Sequence, residues 1–179
     1  MKTGTLQLLP TPCNKKIKDP NFHLDYKFSH NLIYLEYTLS SNLFSQFRPL
    51  DIDTKKKPFN LRREDKLWEK NCLEFFVSPT QEPGYIEFNF SLDGGWNVFT
   101  FDGYRKNKRE NMSITLQSYI LEQDKEKNQF IARFHLKTKE NIQLQELHGC
   151  AILFLHNSPC YFHDLPSLQI PPDFHKFHR

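Results

Sequence analysis

The chain has 179 residues, a length typical of one domain, and its formal net charge at pH 7 is only +3. Aromatic residues make up 15% of the chain, which excludes intrinsic disorder, because disordered chains are poor in such residues. Lysine and arginine occur in short runs within predicted loops rather than along one face, so no nucleic-acid partner is expected.

The first strand is predicted at 5–9, in an N-terminal segment whose apolar residues Leu6, Leu8 and Leu9 are interrupted by a polar residue. A signal peptide needs a continuous apolar core, and a membrane helix needs roughly 18 apolar residues in a row. Neither is present, so we expect a cytoplasmic protein with no membrane partner. The cysteines lack C-x-x-C spacing, and we expect reduced thiols at Cys13, Cys72, Cys150 and Cys160.

Period-2 alternation of apolar and polar residues dominates the rest of the chain and predicts strands. Residues 22–39 are predicted to form a hairpin with a turn at Ser29-His30-Asn31. Later alternating segments predict strands at 72–77, 85–91, 95–102, 113–121, 129–136 and 150–156. Short strands separated by turn signals are typical of an antiparallel β-sandwich, and this is the fold class we expect.

Three segments fall outside this pattern. Residues 42–71 contain Pro49 and Pro58 and are expected to form a long connection. Helical spacing at Asn141 to Leu147, followed by Gly149, predicts one helical turn with a C-cap. Residues 164–179 are expected to form a C-terminal tail. With no linker or repeat, 1–179 is interpreted as a single domain.

The segment 85–101 is predicted to be the central hairpin. By the pleat of a strand, Ile86, Phe88 and Phe90 face one way, and Tyr85, Glu87, Asn89 and Ser91 face the other. The apolar face is expected to belong to the core. The predicted core residues are Leu35, Phe75, Phe88, Phe90, Phe99, Phe134 and Leu153.

Several motifs resemble the bacterial DOMON-like proteins that are related to carbohydrate-binding module family 9. The matching pieces are Leu67-Trp68-Glu69, Cys72-x-Glu74-x-Phe76, Glu87-x-Asn89-x-Ser91, Gly95-Trp96, Phe101-Asp102-Gly103-Tyr104-Arg105, Tyr161-Phe162 and Pro172-Asp173-Phe174-His175. The resemblance covers about residues 20 to 177 and implies a β-sandwich of jelly-roll type.

In the sugar-binding modules of that family, an end sugar lies between two tryptophans and is held by charged and amide side chains. Trp68 followed by Glu74 is similar to one half of such a site, while Phe162 stands where relatives tend to have the second tryptophan. The alternative is that Trp68 and Phe162 are core anchors.

The resemblance and the residue chemistry together predict a non-catalytic site for a saccharide or related polyol. An aromatic ring offers a platform for sugar C–H groups, and carboxylate, amide and guanidinium groups bind hydroxyls. Arg105 has the alternative of a buried ion pair with Glu74 or Glu87. The predicted ligand-binding residues are Trp68, Glu74, Glu87, Asn89, Tyr104, Arg105, Tyr161 and Phe162.

Two other functional classes stay open at this point. One is a protein–protein adaptor, and the less favoured one is a glycan hydrolase that uses Glu74 and Glu87 as its two carboxyls. We expect no catalytic residue, no metal site and no cofactor. Calcium and haem are not excluded, although the methionines available for haem are only Met1 and Met112. The sequence leaves the oligomeric state open.

Overall fold

A computed structural model describes residues 1–11, 21–40, 60–80, 84–124, 126–155, 158–165 and 172–177. Two β-sheets make up nearly all of this part of the chain, and their inner faces pack together. The predicted β-sandwich is therefore confirmed. Most of the connection expected at 42–71 lies outside the described residues. No helix in the described ranges is long and apolar enough to cross a membrane.

One sheet has five strands and exposes its outer face. Its strands are β1 (Lys2–Gln7), β3 (Asn21–Ser29), β4 (Leu32–Ser40), β10 (Ile114–Asp124) and β11 (Gln129–Thr138), in the order β1-β3-β4-β11-β10. All four pairings are antiparallel. Buried and more exposed residues alternate along β3, β4 and β11, as expected for strands with one solvent face.

The other sheet contains eight of the described strands. They are β2 (Leu9–Pro10), β5 (Arg62–Arg63), β6 (Cys72–Pro79), β7 (Tyr85–Ser91), β8 (Gly95–Phe101), β9 (Arg109–Glu110), β12 (Leu144–Leu155) and β13 (Ser158–His163). The order is β2-β13-β12-β6-β7-β8-β5, with β9 also paired to β8. The pairing of β5 with β8 is parallel, and the other pairings are antiparallel.

Aromatic side chains from both sheets fill the space between them. Phe90 of β7 stacks on Phe134 of β11 with ring centroids 3.9 Å apart, and Phe22 of β3 meets Phe162 of β13 edge-on at 5.3 Å. All seven predicted core residues are buried. Phe99 differs from the other six because it belongs to a second cluster, on the outer face of the eight-stranded sheet.

The predicted helical turn at Asn141 to Leu147 is wrong, because β12 begins at Leu144 and runs through Gly149. The register of β12 against β6 shifts between Leu144 and Glu146, which is a β-bulge. An inserted residue changes the parity of the strand, so Leu144 and Leu147 both pack on the core. Their three-residue spacing therefore imitates a helical period. Gly149 is no C-cap; a Cβ there would lie 2.7 Å from the Leu24 side chain.

The centre of the eight-stranded sheet is buried on both faces, and this positions the site. Every residue of β7 is buried, and so are six residues in each of β6 and β8. The outer face is covered in part by a C-terminal 3₁₀-helix, Phe174–Phe177. Phe174 packs with Phe76, Tyr85 and neighbouring side chains of the second cluster. This cover leaves an open cavity beside it.

Candidate functional site

A cavity of about 490 Å³ opens on the outer face of the eight-stranded sheet. Two glutamates, three basic side chains and a set of aromatic and apolar side chains line it. They are Trp68, Glu74, Glu87, Phe101, Arg105, Lys108, Ile152, Phe154, Pro159, Tyr161, Pro172, Phe174 and His175. The size falls in the ~300–1,000 Å³ range of small-molecule sites.

The floor carries two buried carboxyl groups on adjacent strands. Glu74 of β6 and Glu87 of β7 are 4% and 3% exposed. Their positions follow from the pleat: in the β6–β7 register Glu74 opposes Asn89, two residues from Glu87 on the same face of β7. Both carboxyls therefore enter the cavity from the same side.

Burial raises the pKa of Glu74 above its usual value, and the neighbouring charge of Glu87 raises it further. The Cys150 thiol of β12 donates to Glu74 Oε2, with sulfur and oxygen 3.3 Å apart. Burial also raises the pKa of that thiol, so Cys150 is a neutral donor and not an activated nucleophile.

Glu87 has one oxygen with a partner and one without. The Asn89 side-chain amide donates to Oε1 over 2.6 Å. Oε2 is buried and accepts no hydrogen bond, and the His175 Nδ1 atom, 3.8 Å away, is too distant to donate one. Burial raises the pKa of Glu87. A buried carboxylate oxygen without a donor is costly, and such an atom at the edge of a cavity suits a ligand donor.

His175 forms part of the wall from the C-terminal 3₁₀-helix. Burial lowers its pKa to about 4, so the ring is neutral at pH 7. The Tyr85 hydroxyl lies 2.5 Å from His175 Nδ1 and accepts the backbone N–H of Arg105 at 3.3 Å. We assign the hydroxyl proton to the bond with Nδ1, which places the imidazole proton on Nε2.

Two basic side chains stand at the rim, and each has its own acidic partner. Arg105 pairs with Asp173 at 3.1 Å, and Lys108 Nζ donates to Asp65 Oδ1 at 2.7 Å. The Lys108 ammonium also lies 4.8 Å from the Trp68 ring centroid. The alternative of a buried pair between Arg105 and a glutamate is therefore wrong: Arg105 is more than half exposed and is held by Asp173.

Trp68 stands at the cavity mouth on a short 3₁₀-helix, Leu67–Glu69. Leu67 is buried beneath the sheet end and anchors this turn, and Lys66 enters it in the left-handed conformation with φ 57°. The following side chain, Trp68, is 39% exposed. The reading of Trp68 as a core anchor is therefore wrong.

Five of the eight predicted binding residues line the cavity: Trp68, Glu74, Glu87, Arg105 and Tyr161. Whether they bind a ligand stays a prediction. Asn89 is fully buried and holds Glu87 in place. The Tyr104 hydroxyl donates to Asp173, which positions the wall without lining the cavity.

The prediction that Phe162 closes one side of the site is wrong. Phe162 follows Tyr161 directly on β13, and successive side chains on a strand point to opposite faces. Since Tyr161 lines the outer cavity, Phe162 must face inward, where it is fully buried against Phe22. It is a core anchor, as the alternative reading had it.

Sequence reasoning missed several residues of the wall. Phe101 lies two residues after Phe99 on β8, and Phe99 pairs with Glu87, so the period of two along a strand could have placed Phe101 on the face of Glu87. Lys108 and Phe154 gave no local signal, because they reach the cavity through tertiary packing, whereas Phe174 lies in the quoted Pro172-Asp173-Phe174-His175 motif. His175, which belongs to the same motif, contacts Phe76, Tyr85 and Phe101.

Within the described ranges, no group of three or more histidine, cysteine, aspartate or glutamate side chains could hold a metal ion. His178, which follows His175 at a spacing that can bind a metal, lies outside those ranges. The polar groups of the cavity are therefore interpreted through hydrogen bonding and charge.

Comparisons with known proteins bear on the fold. No family model and no curated protein matches the chain. A crystal structure from Bacteroides uniformis, described provisionally as that of a carbohydrate-binding protein, superposes with a TM-score of 0.59 at 13% sequence identity. The match covers 98% of this chain and 82% of the other. At that identity the likeness establishes a shared fold, and this chain is a β-sandwich of the same kind.

Proposed function

We propose that the cavity binds a saccharide or related polyol without turning it over, as the resemblance to DOMON-like proteins and carbohydrate-binding module family 9 implies. The observation that carries the proposal is Glu87 Oε2, a buried acceptor without a donor at the floor of an open cavity. Sugar hydroxyls are donors that would satisfy this atom.

The walls support the same ligand class. Trp68, Tyr161 and Phe174 give apolar ring surface at the mouth and side of the cavity. A pyranose ring has apolar C–H faces and a polar edge, so it can stack on such rings while its hydroxyls reach the carboxyls. The B. uniformis protein of similar fold is described as carbohydrate-binding, which supports the proposal by analogy.

The arrangement of the carboxyls favours binding over hydrolysis. A glycosidase places its two carboxyls on either side of the scissile bond. Glu74 and Glu87 come from adjacent strands of one sheet and lie side by side beneath the cavity. A ligand would have both on the same side, so we assign them to holding hydroxyls.

Removing the exposed ring tests this proposal. We expect Trp68→Ala to weaken saccharide binding about tenfold or more in isothermal titration calorimetry with a panel of mono- and disaccharides. Because the ring is partly exposed, the free energy of unfolding should change by only about 1 kcal/mol. Tyr34→Ala, on the solvent face of the five-stranded sheet, is the matched control and should bind normally. Unchanged binding by Trp68→Ala would remove the site from this cavity.

A further inference from the structure

The charge that faces the cavity is not balanced. The two rim cations, Arg105 and Lys108, are each held by a carboxylate of their own, Asp173 and Asp65. His175, the third basic side chain of the wall, is neutral at pH 7 for the reason given above. The charge at the floor is therefore negative wherever the glutamates are ionised.

No described basic side chain forms an ion pair with Glu74, and among the described residues the only such contact of Glu87 is neutral His175, whose Nδ1 lies 3.8 Å from Oε2. A buried carboxylate in this position is normally paired or bound to a cation. Glu87 Oε2 is thus an unpartnered atom on a side chain that is only 5% exposed, at the wall of an open cavity. The missing partner is a donor, and a positively charged donor suits it best.

We propose that the ligand carries a protonated amine, which donates to Glu87 Oε2; under the proposed function, on which this inference rests, the ligand is an amino sugar. The ammonium enters over the carboxyl floor, and the ring faces of the wall surround it. Aromatic rings attract cations through their electron-rich faces, and Phe101, Tyr161 and Phe174 supply such rings. A neutral hexose would make the ring contacts without the charge-assisted bond.

Binding should then depend on pH with a definite sign. Glu74 and Glu87 must be ionised to attract the amine, and burial raises the pKa of both. Affinity for an amine that itself stays protonated therefore rises as the pH rises through that raised range, and an ammonium bound there releases protons from the floor. The titratable and charged groups that face this pair are Cys72 of β6, Tyr85 of β7, Cys150 of β12, His175 of the C-terminal 3₁₀-helix, and Arg105, Lys108 and Asp65 at the rim.

The two thiols and the tyrosine do not change their charge over the pH range in which the glutamates ionise. Burial raises the pKa of Cys72, Tyr85 and Cys150, so all three stay neutral while the glutamates titrate. His175 ionises only below the range in which the glutamates do. For an amine that stays protonated over this range, the pH dependence of binding therefore reports the carboxyl floor.

The experiment compares three ligands of equal ring size by isothermal titration calorimetry with the full chain. Glucosamine carries the ammonium, glucose replaces it with a hydroxyl, and N-acetylglucosamine caps the nitrogen. We expect glucosamine to bind about tenfold more tightly than glucose near neutral pH, with N-acetylglucosamine no better than glucose. Titration of cyclohexylamine, a strong base that stays protonated near neutral pH, in buffers of different ionisation enthalpy should show net proton release.

Glu87→Gln tests the atom itself. This variant keeps the acceptor for the Asn89 amide but removes the charge, and we expect glucosamine to lose its advantage over glucose. Glu146→Gln removes an exposed carboxylate from β12 outside the cavity and should keep the preference. Should Glu87→Gln fail to fold, the three-ligand series on the unmodified chain still decides the question.

The outcomes separate the two proposals. Equal affinity for glucose and glucosamine would overturn amine recognition and leave saccharide binding in place. Binding of cyclohexylamine with no binding of any saccharide would support amine recognition and overturn the proposed function. Absence of binding by all four compounds would overturn both.

Discussion

The two faces of β7 are equally buried and chemically opposite. Ile86, Phe88 and Phe90 face inward and pack against the five-stranded sheet. On the other face Glu87, Asn89 and Ser91 are also buried, yet they carry a carboxyl, an amide and a hydroxyl. The difference shows that burial alone does not separate core from site in this protein. The chemistry of the buried groups separates core from site. A polar group is normally buried only where hydrogen-bond partners compensate for the loss of its contacts with water.

On the outer face of β7, almost every buried polar side chain has a hydrogen-bond partner. Ser91 donates to the backbone oxygen of Gly95 at 3.1 Å, and the Asn89 amide donates to Glu87. Among the side-chain polar atoms of β7, Glu87 Oε2 is the exception. The inner face of β7 carries only apolar side chains, so it contains no buried polar atom without a partner. We therefore expect the inner face to contribute more to stability than the outer face.

The largest effect is expected on the inner face. Phe88→Ala removes a fully buried ring between the sheets and should lower the free energy of unfolding by about 3–5 kcal/mol, measured by urea denaturation. Phe154→Ala, a half-buried ring at the cavity, is the matched control and should cost clearly less. Equal losses would mean that the outer cluster contributes to stability as the inner core does.

The next effect comes from the buried carboxyls. A carboxyl whose pKa is higher in the folded state than in the unfolded state stabilises the fold at low pH, and this contribution is lost as the pH rises through the folded-state pKa. Stability should therefore fall by roughly 1–3 kcal/mol between about pH 5 and about pH 8. Denaturation across that range measures it.

Glu74→Gln sharpens this result. The amide carries no titrating proton, so the variant should lose much of the pH dependence and become more stable than the unmodified chain at the alkaline end. Glu146→Gln, on the exposed part of β12, should leave the pH profile as it is. A profile that rises with pH in the unmodified chain would contradict the raised pKa of Glu74.

The smallest effect concerns the cover of the outer face. Asp173→Asn weakens the links of the C-terminal segment to Tyr104 and Arg105. Because ion pairs near the surface contribute little, the global free energy of unfolding should change by about 1 kcal/mol or less. Amide hydrogen exchange of residues 174–177 should nevertheless become faster. Asp102→Asn, which loses an exposed pair with Arg109, is the control and should not alter this exchange.

The fold could be predicted because side chains of a strand point alternately to its two faces, so apolar residues recur at every second position in the sequence. Ile86, Phe88 and Phe90 reveal their shared face without any knowledge of the partner strand. Two of the errors arose where this parity was broken or ignored. The bulge near Gln145 put Leu144 and Leu147 on one side of β12, and Tyr161 with Phe162 could not share a face.

The site could be predicted only where it belongs to regular strands or to a quoted motif. Glu74 and Glu87 follow from register and Trp68 from the resemblance. Lys108 and Phe154 join the cavity from separate parts of the chain, and a single sequence contains no signal for such long-range proximity. The sequence could not predict that Glu87 Oε2 has no hydrogen-bond donor either. That property depends on the positions of all the surrounding side chains in the folded structure.

The unequal positions of the two tryptophans give the protein a built-in optical probe. Trp96 is buried at the sheet edge beneath the Arg63 guanidinium, 4.4 Å from its ring, whereas Trp68 is exposed at the cavity mouth beside an ammonium. Their emission should therefore resolve into a component that iodide quenches and one that it does not reach. A molecule entering the cavity would shield the first and leave the second as an internal reference, so occupancy could be followed without any label.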